Sequence, residues 1–377
     1  MSVYIDIPFC RGKCAYCDFP TYPYTQEKAG RYLDLLIDDL QKTDHRYFGT
    51  RLATLYIGGG TPSLLEAVQI RRVLEELSGI FVIDPDTEIT LEANPDSLTA
   101  QKCAAWQGLG INRLSVGVQS FSNDLLRRID RLHSAEQARS AIKTAQSAGF
   151  TNLSIDLMYG LPGQSLAQWM DALLEASEAG VQHISCYSLI LEENTRLFYE
   201  QERLKSLPDE EQLCGMEEET HHILNDHGFH RYEVSNYAMP GYESRHNLRN
   251  WECLPYLGYG CAAHSYDGET RFFVQPSLYQ YMHRTGKMSQ ATEGGNTDGD
   301  RMFERIMLGF RMTKGVDLMR FQSDFGCLPF DMWPRSLNQY EQAGWIRQTA
   351  HRLSLTEQGM DRMNALLVGM MEEQDPS

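Results

Sequence analysis

A chain of 377 residues with a formal charge of -17 and nine cysteines is long enough for one large domain plus one or two small ones, with a core that needs no disulfide staples. The acidic balance argues against a surface built to grip nucleic-acid phosphates or anionic lipid, so small molecules and proteins are the expected partners. No stretch approaches the roughly 18 uninterrupted apolar residues of a membrane span, which leaves room only for peripheral membrane contact.

The opening Met1-Ser2-Val3-Tyr4-Ile5-Asp6-Ile7-Pro8 has no basic region, apolar region or cleavage site, and reads as a mature cytosolic start. Cysteines there stay reduced, so a closely spaced set points to metal. Short β-rich runs then alternate with longer amphipathic ones. Strands are predicted at Val3 to Ile7, Thr54 to Ile57, Glu88 to Glu92, Arg113 to Val118, Asn152 to Leu157 and His183 to Leu189. Helices between them carry capping-box signals at Ser63 with Glu66, Ser134 with Gln137 and Ser165 with Gln168, and C′ glycines at Gly149 and Gly180. Six strand-helix units with short connections imply parallel strands and right-handed crossovers. A closed barrel wants eight units, so the expected fold is α/β, an open partial (β/α)6 barrel over residues 1–231. A doubly wound open sheet is the competing topology.

Residues 232–296 are rich in aromatics, glycines and scattered histidines without helical periodicity, which suggests a small accessory module packed on the barrel. From residue 297 to 377 helices precede Gly344-Trp345-Ile346-Arg347 and Arg352-Leu353-Ser354-Leu355-Thr356, a two-stranded wing before a final helix, so a winged-helix-like domain is expected. The tail after Met371 reads as disordered.

Cys10, Cys14 and Cys17 form C-x3-C-x2-C directly after the first strand, a spacing that wraps three thiolates around one inorganic cluster. Structural zinc wants a fourth ligand close by, and position 19 is Phe19. A cluster of four irons on three thiolates keeps one iron open. Gly58-Gly59-Gly60-Thr61-Pro62 follows the second strand, either as a plain turn or as backbone that a ligand approaches closely. Glu92, Gln119, Arg131 and Asp156 fall at or after the C-terminal ends of the third, fourth and fifth strands, where β/α folds place their sites. Cys253, Cys261 and His264 read as packing residues rather than a second metal site, and the adjacent His221 and His222 point apart on a helix.

The cysteine triad and these motifs resemble the radical S-adenosylmethionine superfamily. In that family the open iron chelates the methionine end of S-adenosylmethionine, and an electron from the 4Fe-4S cluster generates a 5′-deoxyadenosyl radical. The segments Tyr4 to Cys10, Gly58 to Leu64, Glu92 to Pro95, Ser115 to Phe121 and Asp156 to Gly163 narrow the resemblance to the branch that holds the oxygen-independent coproporphyrinogen III oxidases and heme chaperones of the HemW type. The resemblance implies Tyr4 and Tyr16 flanking the nucleotide, Gly59, Gly60 and Thr61 at its methionine end, and Glu92, Gln119, Arg131 and Asp156 at its other polar groups.

Two departures favour the chaperone side of the branch: Phe19 stands where the oxidases have a further cysteine, and the chain begins almost at the first strand. His246-Asn247-Leu248-Arg249-Asn250-Trp251 resembles the H-N-x-x-Y-W motif associated with heme, with Asn250 in place of the tyrosine, which makes His246 the expected axial ligand. The implied protein takes a 4Fe-4S cluster, S-adenosylmethionine and heme. Its implied partners are an acceptor hemoprotein and an electron donor such as flavodoxin or ferredoxin, with room for a homodimer and none for nucleic acid. If it is an enzyme instead, the implied reaction is the oxidative decarboxylation of porphyrinogen propionates.

Overall fold

The computed structural model of the chain describes residues 1–284, 290–292 and 297–374. Six parallel strands run β1 (Ser2–Ile7), β2 (Thr54–Gly59), β3 (Glu88–Ala93), β4 (Arg113–Gln119), β5 (Leu153–Tyr159) and β6 (His183–Ser188), and neighbours in sequence are neighbours in the sheet. The helices α1 (Gln26–Gln41), α2 (Ala67–Ile80), α3 (Ala100–Gly108), α4 (Ala135–Ser147), α5 (Leu166–Glu178) and α6 (Glu210–Asp226) follow these strands in turn. This is the partial (β/α)6 barrel read from the sequence.

Strand alternation separates two environments. Val3, Ile5, Leu55, Ile57, Leu91, Leu114, Val116, Ile155 and Leu157 face the helices in one buried apolar core. The intervening residues are polar and meet one another inside the barrel: Tyr56 with Glu92, Ser115 with Asp156, Ser154 with His183. A polar lumen beneath an open mouth is what a polar ligand requires.

Two of the three capping boxes form, at Ser134 with Gln137 and Ser165 with Gln168, and Gly149 and Gly180 take positive φ just past the ends of α4 and α5. Ser63 does not cap. Its hydroxyl lies 2.6 Å from that of Ser97 and accepts from the Asn94 amide, and α2 starts later with Glu66 as N-cap and Gln69 as its reciprocal partner. Pro62 opens a short 3-10 turn there, and tertiary bonding takes the hydroxyl that local pattern assigned to the helix.

The region after α6 corrects the expectation of a module packed on the barrel: it extends the barrel's own sheet on both sides. The strands β7 (His230–Arg231) and β8 (Asn236–Ala238) add antiparallel beyond β6. After helix α7 (Arg245–Trp251), β9 (Tyr256–Tyr259) pairs parallel with β1, and β10 (His264–Tyr266), β11 (Arg271–Val274) and β12 (Gln290–Thr292) continue antiparallel. Both edges of the six-stranded sheet would otherwise expose unpaired backbone groups, and these strands cover them. The expected boundary at 296/297 adjoins residues 293–296, which lie outside the described residues.

Helix α8 (Asp298–Phe310) opens a C-terminal unit with its own apolar core, including Ile306, Phe310, Phe321, Trp333, Leu353 and Met370. Within it β14 (Ile346–Gln348) and β15 (Arg352–Leu355) form the expected two-stranded wing, to which β13 (Val316–Asp317) adds a third strand that the sequence did not show, in the order β13-β15-β14. The last helix runs to Gln374, which corrects the disorder read after Met371; residues 375–377 lie outside the described residues. Among the described residues no helix is long and apolar enough to cross a membrane.

Candidate functional site

Cys10, Cys14 and Cys17 lie on the loop that leaves β1 at the barrel mouth. Parallel pairing of Phe9-Cys10 with Tyr22-Pro23 closes this loop on itself. The Cys10 sulfur lies 3.4 Å from Thr61 Oγ1, which also accepts from Asn94 Nδ2 at 3.1 Å. Asn94 Oδ1 in turn accepts from Arg131 Nη2 at 3.0 Å, and Arg131 Nη1 reaches the Cys14 sulfur at 3.6 Å. One hydrogen-bonded chain therefore ties two of the three thiols to the ends of β2, β3 and β4. Arg131 is anchored further by the Gly117 carbonyl. Burial pushes the Cys10 thiol up to about 11 and raises Cys17, with the Thr61 hydroxyl opposing it at Cys10. Metal binding must therefore displace protons from Cys10 and Cys17.

The triple glycine has a packing reason. A Cβ on Gly60 would stand 2.7 Å from the Phe9 carbonyl oxygen and 3.0 Å from the Cys10 sulfur, and one on Gly59, at φ 112°, would meet Asp6 Oδ1 at 2.9 Å. The end of β2 can close on the cysteine loop only without side chains.

Glu92 stands below this turn. Its carboxylate accepts from Tyr56 Oη at 2.8 Å and from the Gly59 amide at 3.1 Å. Burial, opposed by the Tyr56 bond and helped by the charge of Asp156, pushes its pKa up to about 7. Burial also raises Asp156, against hydrogen bonds from Ser185 and Ser115 and the Arg113 charge. Asp6 is pushed well above the carboxylate range by burial and then by Glu92. Three carboxyl groups buried close together in the lumen favour a ligand that brings hydroxyls or positive charge. Tyr16 packs against Leu125, Ile129, Met158 and Leu161 beside Arg131, and burial suppresses its ionisation. Gln119 holds the left-handed conformation at φ 64°, and its Oε1 is buried without a partner, as is Arg131 Nε. Polar atoms so placed cost free energy until something bonds them.

The donor set fits a cluster better than a single ion. Three thiolates on one zinc would stand ~3.8 Å apart, given Zn–S bonds of about 2.3 Å. Among the described residues the set whose ligand atoms gather within 4.8 Å of one another is Glu217, His221 and Asp361, not the cysteines. That set already has other partners: His221 is bonded through Nδ1 to Tyr237 and through Nε2 to Arg231, whose guanidinium also pairs with Glu217 at 3.5 Å. Cys253 and Cys261 are buried, and the Cys261 thiol bonds the Gln275 carbonyl, in keeping with packing roles.

His246 lies elsewhere, on the floor of the lumen. Ser244 caps α7, and Glu88 at the start of β3 accepts the Arg245 and His246 amides at 3.2 and 3.0 Å, placing a carboxylate at the helix N-terminus. His246 Nδ1 lies 2.9 Å from Thr54 Oγ1, and its ring packs 4.9 Å from that of Tyr56. Burial and then Arg113 push its pKa down to about 3, so the imidazole is neutral, the form that ligates metal. On its far side α7 meets the C-terminal unit, where Arg311 stacks on Trp251 at 4.4 Å and Arg320 donates to the Glu252 carbonyl at 2.7 Å.

A cavity of about 570 Å³ joins mouth to floor, lined by Tyr4, Asp6, Gly59, Gly60 and Glu92 on one side and His246 and Asn250 at its base, with Phe19 at the rim. Phe19 is 70% exposed and has no part in the core. The residues that sequence reasoning passed over are Asp6, Tyr56 and Asn94. Tyr56 and Asp6 were visible as inward positions of alternating strands; nothing in the sequence joined Asn94 to Thr61 and Arg131.

Residues 4–193 match the family model described as the radical SAM superfamily, and residues 296–362 match that described as the HemN C-terminal domain. The heme chaperone HemW of Bacillus subtilis is 36% identical over 364 residues, covering 95% of this chain and 96% of that protein. The heme chaperone HemW of Escherichia coli is 35% identical over 373 residues, covering 97% of each. Among solved structures, coproporphyrinogen III oxidase (HemN) from Escherichia coli, described as a radical SAM enzyme, superposes with a TM-score of 0.85 at 23% identity, over 98% of this chain and 89% of that one. The last likeness establishes the fold.

Proposed function

Because the chain belongs to the radical SAM superfamily and, within it, to the HemW heme chaperones, we propose that it binds heme and delivers it to an acceptor hemoprotein, with a 4Fe-4S cluster and S-adenosylmethionine at the barrel mouth. Cys10, Cys14 and Cys17 would hold the cluster. Tyr4, Tyr16, Gly59, Gly60, Thr61, Glu92, Gln119, Arg131 and Asp156 would hold the nucleotide, and His246 the heme iron. When bound and reduced by a donor such as flavodoxin or ferredoxin, the cluster supplies one-electron reduction of the sulfonium. The protein's own part is positional. Thr61, Asn94 and Arg131 orient the thiols, Glu92 and Asp156 offer acceptors to ammonium or ribose hydroxyl groups, and the Gln119 carbonyl offers one more.

The observation that supports this reading best is the hydrogen-bonded chain from Cys10 through Thr61, Asn94 and Arg131 to Cys14, set above a lumen that carries a neutral buried imidazole. The exposed Phe19, in place of a fourth cysteine, favours heme handling over porphyrinogen chemistry. Titration of the anaerobically reconstituted protein with heme tests it: a saturable Soret-shifted complex is expected, and its absence would remove the chaperone reading.

A further inference from the structure

Four of the nine candidate nucleotide residues share one cavity with the candidate heme ligand. Tyr4, Gly59, Gly60 and Glu92 line its wall, and His246 with Asn250 lines its base. Tyr56 closes the distance between the two ends. Its hydroxyl donates to Glu92 at 2.8 Å, while its ring lies 4.9 Å from the His246 ring and 5.9 Å from that of Tyr4. Tyr4 itself lies 6.3 Å from His246. Glu92 and His246 line one cavity, and Tyr56 alone spans the step between them, so a nucleotide at Glu92 and a macrocycle at His246 would be near neighbours.

Size decides the consequence. At about 570 Å³ the cavity lies within the range of about 300–1,000 Å³ that holds one drug-sized ligand, and heme and S-adenosylmethionine are each ligands of that class. His246 is also fixed in place, through Thr54 and through the two amide bonds from α7 to Glu88, so it cannot swing outward to bind heme at the surface while the nucleotide fills the lumen.

Resting on the heme-chaperone reading above, we propose that heme and S-adenosylmethionine occupy this cavity in turn and never together, so that nucleotide binding expels heme from His246. The coupling is reciprocal: each ligand weakens the other by the same factor. Release is thereby assigned to the nucleotide, without any need for the radical to form.

The test is a heme titration followed at the Soret band on reconstituted protein at several fixed concentrations of S-adenosylmethionine. At nucleotide ten times its own dissociation constant, the apparent heme dissociation constant is expected to rise about tenfold, as simple competition requires. Equilibrium dialysis with labelled S-adenosylmethionine should show the converse loss in heme-saturated protein. In the Cys10→Ala, Cys14→Ala, Cys17→Ala variant, heme should still bind and the nucleotide should no longer displace it. A Soret complex indifferent to nucleotide, or labelled nucleotide retained stoichiometrically beside heme, would overturn the inference while leaving the chaperone reading intact. Absence of any Soret complex would remove both.

Discussion

The mouth and the floor of the lumen are built on opposite plans. At the mouth, three partly exposed thiols sit on a loop whose order comes from hydrogen bonds to Thr61 and Arg131 and from glycines that let backbone close in. At the floor, one buried imidazole that lines the cavity is held by Thr54 and the Tyr56 ring. A substitution at the mouth should remove a function and spare the fold, whereas one at the floor should damage both. Floor residues therefore need two readouts before a role in ligand binding is assigned to them.

The sharpest form of this contrast is the triple variant Cys10→Ala, Cys14→Ala, Cys17→Ala. Iron and sulfide after anaerobic reconstitution should fall from about four of each per chain to background, while the thermal midpoint of the cluster-free protein shifts by no more than the few degrees that about 1 kcal/mol produces. His246→Ala should lose about 3 kcal/mol in urea unfolding, through a buried cavity and a severed bond to Thr54. Its heme affinity should also fall about tenfold or more, a further loss of about 1.4 kcal/mol. Stability lost with heme affinity unchanged would make the floor structural only.

The lumen carboxylates predict a pH dependence of smaller size. With its pKa raised from 4.5 to about 7, folded Glu92 binds a proton more tightly than the unfolded chain does. Its contribution to stability is complete below about pH 4.5 and is lost as pH rises through about 7, on the order of 3 kcal/mol in all. Urea midpoints of the cluster-free protein should drop between pH 5 and pH 8, and Glu92→Gln should flatten that drop. An equal slope in the variant would transfer the effect to Asp6 or Asp156. Thr61→Val, which strips one hydroxyl from Cys10 and Asn94, should cost about 1 kcal/mol. Phe19→Ser, at an exposed rim position, should leave stability within about 0.5 kcal/mol and cluster content unchanged.

The mouth was legible in the sequence because its elements are local. Three cysteines within eight residues, a triple glycine at a strand end and carboxylates at successive strand ends keep their meaning without knowledge of the fold. The six-unit barrel was legible for the same reason, each unit carrying its own strand pattern and two of the helices a capping box that forms as read. Ser63 misled because a partner far along the chain, Ser97, took its hydroxyl. The strands after residue 232 were too short to show a period, and only the open edges of β1 and β6 give them their places. Asn94 acquires meaning only when three strand ends meet. The setting of His246 depends on Thr54, Tyr56 and Glu88, all far from it in sequence, so its motif indicated heme while giving no hint that the residue is also a fixture of the core.

The central claim is that the lumen receives heme and passes it on unaltered. It is tested most directly by incubating the reconstituted, heme-loaded protein with a heme-free acceptor hemoprotein and following the Soret band of each after separation. Intact heme should move to the acceptor, with His246→Ala unable to supply it. Heme that stays put under every condition, together with stoichiometric protoporphyrinogen when coproporphyrinogen, reductant and S-adenosylmethionine are supplied instead, would contradict the claim and make the protein a porphyrinogen oxidase.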